Sequence, residues 1–166
     1  MNRDCVVVAD GARARFFTLR EADHPELESS PNLIEVNDLV QPEKELHNGD
    51  LWAESRPSRS RGRNGGPAHG FDDHRNEHTE EQDRRFARSV TEEAARLALR
   101  QQTRNVILVA QKRMLGLLRE CMDPLAKAGV EVRELAKDLS KLHPLELHEH
   151  LAREQLIPRR RTPVGS

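Results

Sequence analysis

The sequence predicts an α/β domain on a mixed β-sheet, antiparallel at its start and parallel at its end, with helices packed on the sheet in two or three layers. CVVVA at residues 5–9 is a β-branched run too short for a helix, and ARARFFTL returns after the turn dipeptide Asp10-Gly11. NVILVA at residues 105–110 is continuously apolar, which is typical of a buried central strand between helices. These runs indicate an amino-terminal antiparallel hairpin followed by an α-β-α-β-α order.

The first half of the chain contains three predicted strands. In ARARFFTL, alternation places Ala12, Ala14 and Phe16 on one face and Arg13 and Arg15 on the other. The acidic residues 20–31 include two prolines and predict a loop, and NLIEVNDLV predicts a third strand over residues 33–40. From residue 41 to 76 no hydrophobic period remains, so we expect a long, flexible loop there.

A capping box marks the first predicted helix, since Thr79 stands at an N-cap position and Gln82 lies three residues later. The helix is expected to run to about residue 102. Its apolar residues recur at helical spacing on one face. They are Phe86, Val90, Ala94 and Leu97.

The last part of the chain alternates helices and strands. A helix over 111–121 should turn Met114, Leu117, Leu118 and Cys121 inward, and Asp123-Pro124 should open a short helix. VEVREL predicts a fifth strand. Pro144 should open the last helix, with Leu147 and Leu151 inward and Pro158 ending it. We expect one domain over residues 1–157 and a frayed basic tail over 158–166.

Composition limits the classes of function. The chain has 166 residues and a net charge of -1, so only a local patch could attract nucleic acid. No apolar run approaches the ~20 residues that span a bilayer, and no signal peptide is apparent, so a cytoplasmic protein without a membrane partner is expected. Cys5 and Cys121 lie in apolar runs and are expected to be reduced and unreactive. The few aromatic residues argue against base stacking on a sheet platform.

An arginine- and glycine-rich run, SRPSRSRGRNGGPAHG at residues 55–70, is the main candidate site. Its arginines face no acidic residue within the run, and arginine forks suit phosphate. Three arginines on the following helix could extend the patch. The predicted RNA-binding residues are Arg56, Arg59, Arg61, Arg63, Gly65, Gly66, Arg84, Arg85 and Arg88. The same run could instead be a solvated linker or a loop that binds a protein partner.

No catalytic residue, metal ligand or cofactor site is predicted. His74 and His78 are four residues apart, but they precede the capping box and should lie outside the helix, while His148 and His150 should be solvated. No nucleophile elbow or phosphate-loop fingerprint occurs. In the Lys137-Asp138-Leu139-Ser140 turn, Asp138 or Ser140 is expected to bond backbone N–H groups.

Four segments carry a resemblance to a known family: VVVADGARARFF, EEQDRRFARSV, NVILVAQKRMLGLLRE and AKDLSKLHPLELHEHL. With them the chain resembles the bacterial host-attachment protein family, apart from residues 41–70 and the tail. The fold of that family is similar to the middle domain of archaeal and eukaryotic class I peptide-chain release factors. In that domain a Gly-Gly-Gln loop precedes a long helix and enters the peptidyl-transferase centre.

The resemblance implies contact with RNA but not hydrolysis. Gly65-Gly66-Pro67 occupies the corresponding position, and Pro67 has neither the side-chain amide of glutamine nor a backbone N–H. We therefore expect a non-enzymatic protein that contacts the ribosome or tRNA. One alternative is an interaction or regulatory protein, with a protein partner, that acts indirectly on attachment to host cells. A peptidyl-tRNA hydrolase is disfavoured, and the oligomeric state is left open.

Overall fold

A computed structural model of the chain describes residues 4–42 and 69–163, with the backbone alone described over residues 69–78. The strands are β1 (Asp4–Ala9), β2 (Arg13–Arg20), β3 (Asn32–Val40), β4 (Asn105–Ala110) and β5 (Glu131–Ala136). The helices are α1 (His69–Gln101), α2 (Lys112–Arg119), α3 (Asp123–Lys127) and α4 (Pro144–Arg153). The predicted arginine loop at residues 56–66 lies outside the described residues.

The five strands form one mixed sheet in the order β3-β2-β1-β4-β5. β1 pairs antiparallel with β2 and parallel with β4, while β5 pairs parallel with β4. At the β1–β2 turn, the Asp10 N–H donates to the Arg13 carbonyl oxygen at 2.8 Å, and Asp10 Oδ1 accepts from the Ala12 N–H at 2.7 Å. The α/β class and the amino-terminal hairpin are therefore confirmed.

Hydrophobic residues fill both faces of the sheet, which makes the domain three-layered. One core contains Phe16 and Leu108 from the sheet, the predicted α1 stripe, and buried residues of α2 and α3. The opposite core contains Phe17 and Val109, covered by Leu147 and Leu151 of α4. The inward faces predicted for α1 and α4 are confirmed, whereas Cys121 lies beyond the end of α2 and is only half-buried.

Helix α1 begins at His69, so the prediction of a start at Thr79 is wrong. His74 and His78 consequently lie within the helix, and part of the predicted loop is helical. A Thr-x-x-Gln pattern also fits a helix interior, so it could not mark the boundary alone.

Two predictions about the end of the chain are also wrong. Helix α4 ends at Arg153 rather than near Pro158, because Gln155 adopts a left-handed conformation with φ of 61°. The Leu156 N–H then donates to the Leu151 carbonyl oxygen at 3.0 Å, as in a Schellman motif. The tail is also not frayed throughout, since Arg161 exchanges backbone hydrogen bonds with Ser30 at 2.7 and 3.2 Å. The acidic loop predicted at 20–31 supplies this partner.

His148 is buried, contrary to the expectation of a solvated side chain. Its Nε2 lies 2.9 Å from the Pro158 carbonyl oxygen. Since a carbonyl only accepts hydrogen bonds, Nε2 carries the proton in the neutral ring. Burial lowers the pKa of His148, and nearby Arg160 acts in the same direction, while the bond to Pro158 and the charge of Glu149 oppose it. The buried ring is therefore neutral at pH 7.

This burial predicts a loss of stability in mild acid. The unfolded chain takes up a proton near pH 6.5, whereas the folded ring resists it. The contribution of neutral His148 to the free energy of unfolding is fully present above pH 6.5. It is lost as the pH falls from 6.5 towards the lowered pKa of the folded state. Urea unfolding between about pH 5 and 8 should show this slope, and His148→Gln should flatten it. An equal slope in His148→Gln would assign the effect to other groups.

Candidate functional site at the carboxyl edge of the sheet

Four strands end at the same edge of the sheet. β1, β4 and β5 are mutually parallel, and β3 runs with β1 because β2 is antiparallel to both. The residues that directly follow these strands define the carboxyl edge. They are Asp10, Gln41, Gln111 and Lys137. In open α/β sheets, ligands bind beyond this edge.

A buried polar cluster joins the carboxyl edge to α1. Gln41 Nε2 donates to the Gly11 carbonyl oxygen at 2.6 Å and to Asp83 Oδ1 at 3.1 Å. Arg113, in the first turn of α2, donates to Asp83 Oδ2 at 2.7 Å. Gln41 and Asp83 are each only 1% exposed, whereas the Arg113 side chain is 56% exposed. The cluster thus holds Gln41, the residue that follows β3, against α1 and α2.

The predicted helix arginines lie beside acidic residues. Arg84 is 3.8 Å from Glu80 and 3.5 Å from Glu120, and Arg85 is 3.6 Å from Glu81. Arg88 has no ion pair within the part of the chain whose side chains are described. These three arginines line an open groove of about 530 Å³ together with Glu80 and Glu81. This face of α1 therefore has a lower positive charge than its number of arginines predicted. The i,i+4 spacing of Glu80 and Glu81 before Arg84 and Arg85 was already visible in the sequence.

Arg85 adjoins the start of the predicted 41–76 loop. Arg85 and Phe86 line a shallow groove of about 240 Å³ together with Gln41 and Pro42. Pro42 is the last described residue before the segment that contains Arg56, Arg59, Arg61 and Arg63, and α1 begins where the description resumes. Arg84, Arg85 and Arg88 are thus on the helix that directly follows the segment.

The Asp138 turn behaves as predicted and connects two of the segments that carried the resemblance. Ser140 Oγ donates to Asp138 Oδ1 at 2.7 Å, and the Ser140 N–H donates to the same oxygen at 3.3 Å. Arg15 donates to the Ser140 and Leu142 carbonyl oxygens at 3.0 and 2.8 Å. It also pairs with Glu35 at 2.8 Å and lies over the Phe17 ring. Arg15 therefore links β2 to β3 and to the Asp138 turn, and it is not one of the arginines predicted to bind phosphate.

The described residues give no support to nucleophilic or metal chemistry. Burial raises the pKa of the Cys5 and Cys121 thiols, so little thiolate forms at neutral pH. Among the residues with described side chains, no group of three or more His, Cys, Asp and Glu could hold a metal ion. The side chains of His74 and His78 fall outside that set. Among the residues that the structure describes, no helix is long and apolar enough to cross a membrane.

The structure is a three-layered α/β domain in which a Gln–Asp–Arg cluster joins the carboxyl edge of the sheet to the arginine-bearing helix α1. The family model described as "Protein required for attachment to host cells" matches residues 5–151. The chain therefore belongs to this family, and the match includes the carboxyl edge and all of α1. A comparison with curated proteins gives no match.

Proposed function

We propose that the protein binds RNA of the translation apparatus, on the ribosome or as tRNA, without catalysing a reaction. The proposed surface combines Arg56, Arg59, Arg61, Arg63, Gly65 and Gly66 with Arg84, Arg85 and Arg88. One observation carries the proposal: Arg85 lines a groove with Pro42, at the start of the predicted 41–76 loop that contains the arginine-rich run. Arginines on the segment and on α1 can then contact neighbouring phosphates of one RNA strand.

The acidic neighbours of α1 do not prevent phosphate binding. The ion pairs of Arg84 and Arg85 span 3.5–3.8 Å between side chains that are about half exposed. Exposed pairs of this kind contribute roughly 0–1 kcal/mol, so a phosphate can replace the carboxylate at little cost. Bidentate hydrogen bonds from arginine to phosphate are stronger than such pairs.

Removing the segment's charges tests the proposal. Replacing Arg56, Arg59, Arg61 and Arg63 together by alanine should weaken association with ribosomes or tRNA. It should also reduce the log–log salt slope by about 0.7–0.9 for each phosphate that the protein no longer neutralises. A charge-matched control replaces Arg20, Arg104, Lys127 and Arg133, which are exposed and have no described ion pair. Equal weakening by both variants would show that net charge, rather than the proposed surface, governs association.

A second measurement separates RNA binding from catalysis. Pro67→Ala should leave association nearly unchanged, because proline offers RNA no hydrogen-bond donor. The unaltered protein should release no peptide from peptidyl-tRNA above background. Measurable release would revive the hydrolase alternative and would require a catalytic group other than glutamine.

A protein partner is the second candidate. The edge strand β3 exposes Ile34, Val36 and Val40 at 38–42% of their surface, which suits a protein contact better than an RNA contact. This candidate corresponds to an interaction or regulatory protein that acts indirectly on attachment. Sucrose-gradient sedimentation with and without ribonuclease distinguishes the two. Co-sedimentation that ribonuclease abolishes supports RNA binding, and co-sedimentation that survives it supports a protein partner.

A further inference from the structure

A segment that follows α4, residues 158–163, is docked on the domain as a strap. His148 Nε2, on α4, donates to the Pro158 carbonyl oxygen at 2.9 Å. Further along the strap, Arg161 exchanges backbone hydrogen bonds with Ser30 at 2.7 and 3.2 Å. The strap therefore links α4 to the acidic loop that precedes β3.

Two further contacts of the strap lie at the surface. Arg161 pairs with Glu21 at 3.2 Å, and these side chains are 72% and 46% exposed. Arg160 donates to Asn32 Oδ1 at 2.9 Å. Exposed contacts of this kind contribute little to stability, so detachment of the strap does not require global unfolding. Ile157, directly before the strap, is buried in the core and keeps α4 and its end in place.

His148 holds one proton and has no place for a second while the strap is docked. The ring is 1% exposed, and its proton is on Nε2 because the Pro158 carbonyl can only accept. Nδ1 is buried, and no described atom bonds to it. A proton on Nδ1 would create a buried donor without an acceptor, on a buried charged ring, and both are costly. The docked state therefore disfavours the imidazolium.

The charges beside His148 are those of α4 and the strap. Burial is the main cause that lowers the pKa of His148. Arg160 acts in the same direction, while the hydrogen bond to Pro158 and the charge of Glu149 oppose it. Arg153 and Arg159 line the same open groove beside α4, so a second positive charge on the ring gains nothing there.

The charged residues on other elements near α4 have partners of their own. Glu35 and Asp38 of β3 are paired with arginines of β2. Lys137, in the turn before α4, pairs with Glu154 at 3.1 Å. The core beneath α4 is apolar. The charge state of His148 is therefore linked to the strap rather than to the sheet.

We propose that protonation of His148 releases the strap, which makes this segment a pH-sensitive switch. Detachment brings the ring into water, where the imidazolium is solvated, so proton uptake and release of the strap favour each other. Release also separates Arg160 from Asn32 and Arg161 from Glu21. The acid form therefore presents the adjacent arginines of the strap to solvent. The switch does not depend on the proposed RNA surface.

Amide hydrogen exchange of the full chain, followed by NMR between about pH 5.5 and 8, tests the proposal. After correction for the intrinsic exchange rate, protection of the Arg161 N–H should fall below pH 6.5 by up to about tenfold per pH unit, as uptake of one proton predicts. In His148→Gln, which keeps an N–H donor for Pro158, this pH dependence should be absent. Low concentrations of urea should speed exchange in β4 but not at Arg161, because only β4 requires global unfolding.

A reciprocal measurement uses the unaltered histidine. Since linkage is reciprocal, weakening the strap should raise the pKa of His148. Glu21→Gln removes the ion pair with Arg161, so the NMR titration of the His148 ring should move towards 6.5. Glu26→Gln is the matched control, since exposed Glu26 pairs with His24, and it should leave the titration unchanged.

Several outcomes would overturn the proposal. They are pH-independent protection of Arg161, an equal pH dependence in His148→Gln, and exchange of Arg161 only by global unfolding. An unchanged titration of His148 in Glu21→Gln would also overturn it, and this measurement does not require the His148 variant to fold. None of these experiments contains RNA, so failure of the RNA proposal is distinguishable from failure of this one.

Discussion

Phe86→Ala should lower the free energy of unfolding by roughly 3–5 kcal/mol, the usual cost of removing a buried phenylalanine ring. Phe86 is 6% exposed and packs in the core between α1 and the sheet. Close-packed neighbours cannot collapse fully into the space that the ring leaves. Urea unfolding monitored by circular dichroism measures the change.

Val109→Ala tests the opposite core in the same way. Val109 is fully buried on β4, beneath α4, and its truncation should cost on the order of 1–3 kcal/mol because fewer atoms are removed. Arg104→Ala, one residue before β4, is the control, since Arg104 is exposed. If Arg104→Ala lowered the stability as much as Phe86→Ala does, the assignment of the two cores would be wrong.

The sheet and its cores were predictable because their signals are local. CVVVA and NVILVA are short, continuous apolar runs, and Asp10-Gly11 is a turn dipeptide, so each could be recognised from adjacent residues. The inward residues of α1 and α4 followed from helical spacing alone. The start of α1 at His69 could not be recognised, because polar residues without an apolar period fit both a loop and an exposed helix.

The parts of the site that were missed depend on contacts between distant residues. Gln41 and Asp83 are 42 positions apart, and Asp83 and Arg113 are 30 apart, so neither contact leaves a local pattern. The docking of Arg161 on Glu21 and Ser30 joins residues that are much farther apart in sequence. The glutamates beside Arg84 and Arg85 are an exception. They lie one helical turn earlier in the sequence, so a lower positive charge on this face of α1 could have been predicted.

Arg113→Ala should lower the free energy of unfolding by about 2–3 kcal/mol. Breaking a fully buried ion pair costs roughly 3–5 kcal/mol, and the half-exposed Arg113 side chain reduces that figure. The loss arises because the buried carboxylate of Asp83 loses its 2.7 Å charge-assisted hydrogen bond from Arg113. The same change should loosen the junction of β3, α1 and α2, where Gln41 also contacts Asp83.

A double-mutant cycle identifies the source of this loss. Asp83→Asn removes the buried charge, so adding it to Arg113→Ala should restore part of the stability rather than lower it further. Arg84→Ala is the matched control, because its exposed ion pairs should contribute only about 0–1 kcal/mol. Strictly additive effects in the cycle, or a loss in Arg113→Ala no larger than in Arg84→Ala, would show that the cluster does not stabilise the carboxyl edge. Because this cluster holds Gln41, at the start of the predicted 41–76 loop that contains the arginine-rich run, its loss should also weaken RNA association through position rather than charge. In that case the salt slope should stay unchanged while the affinity falls.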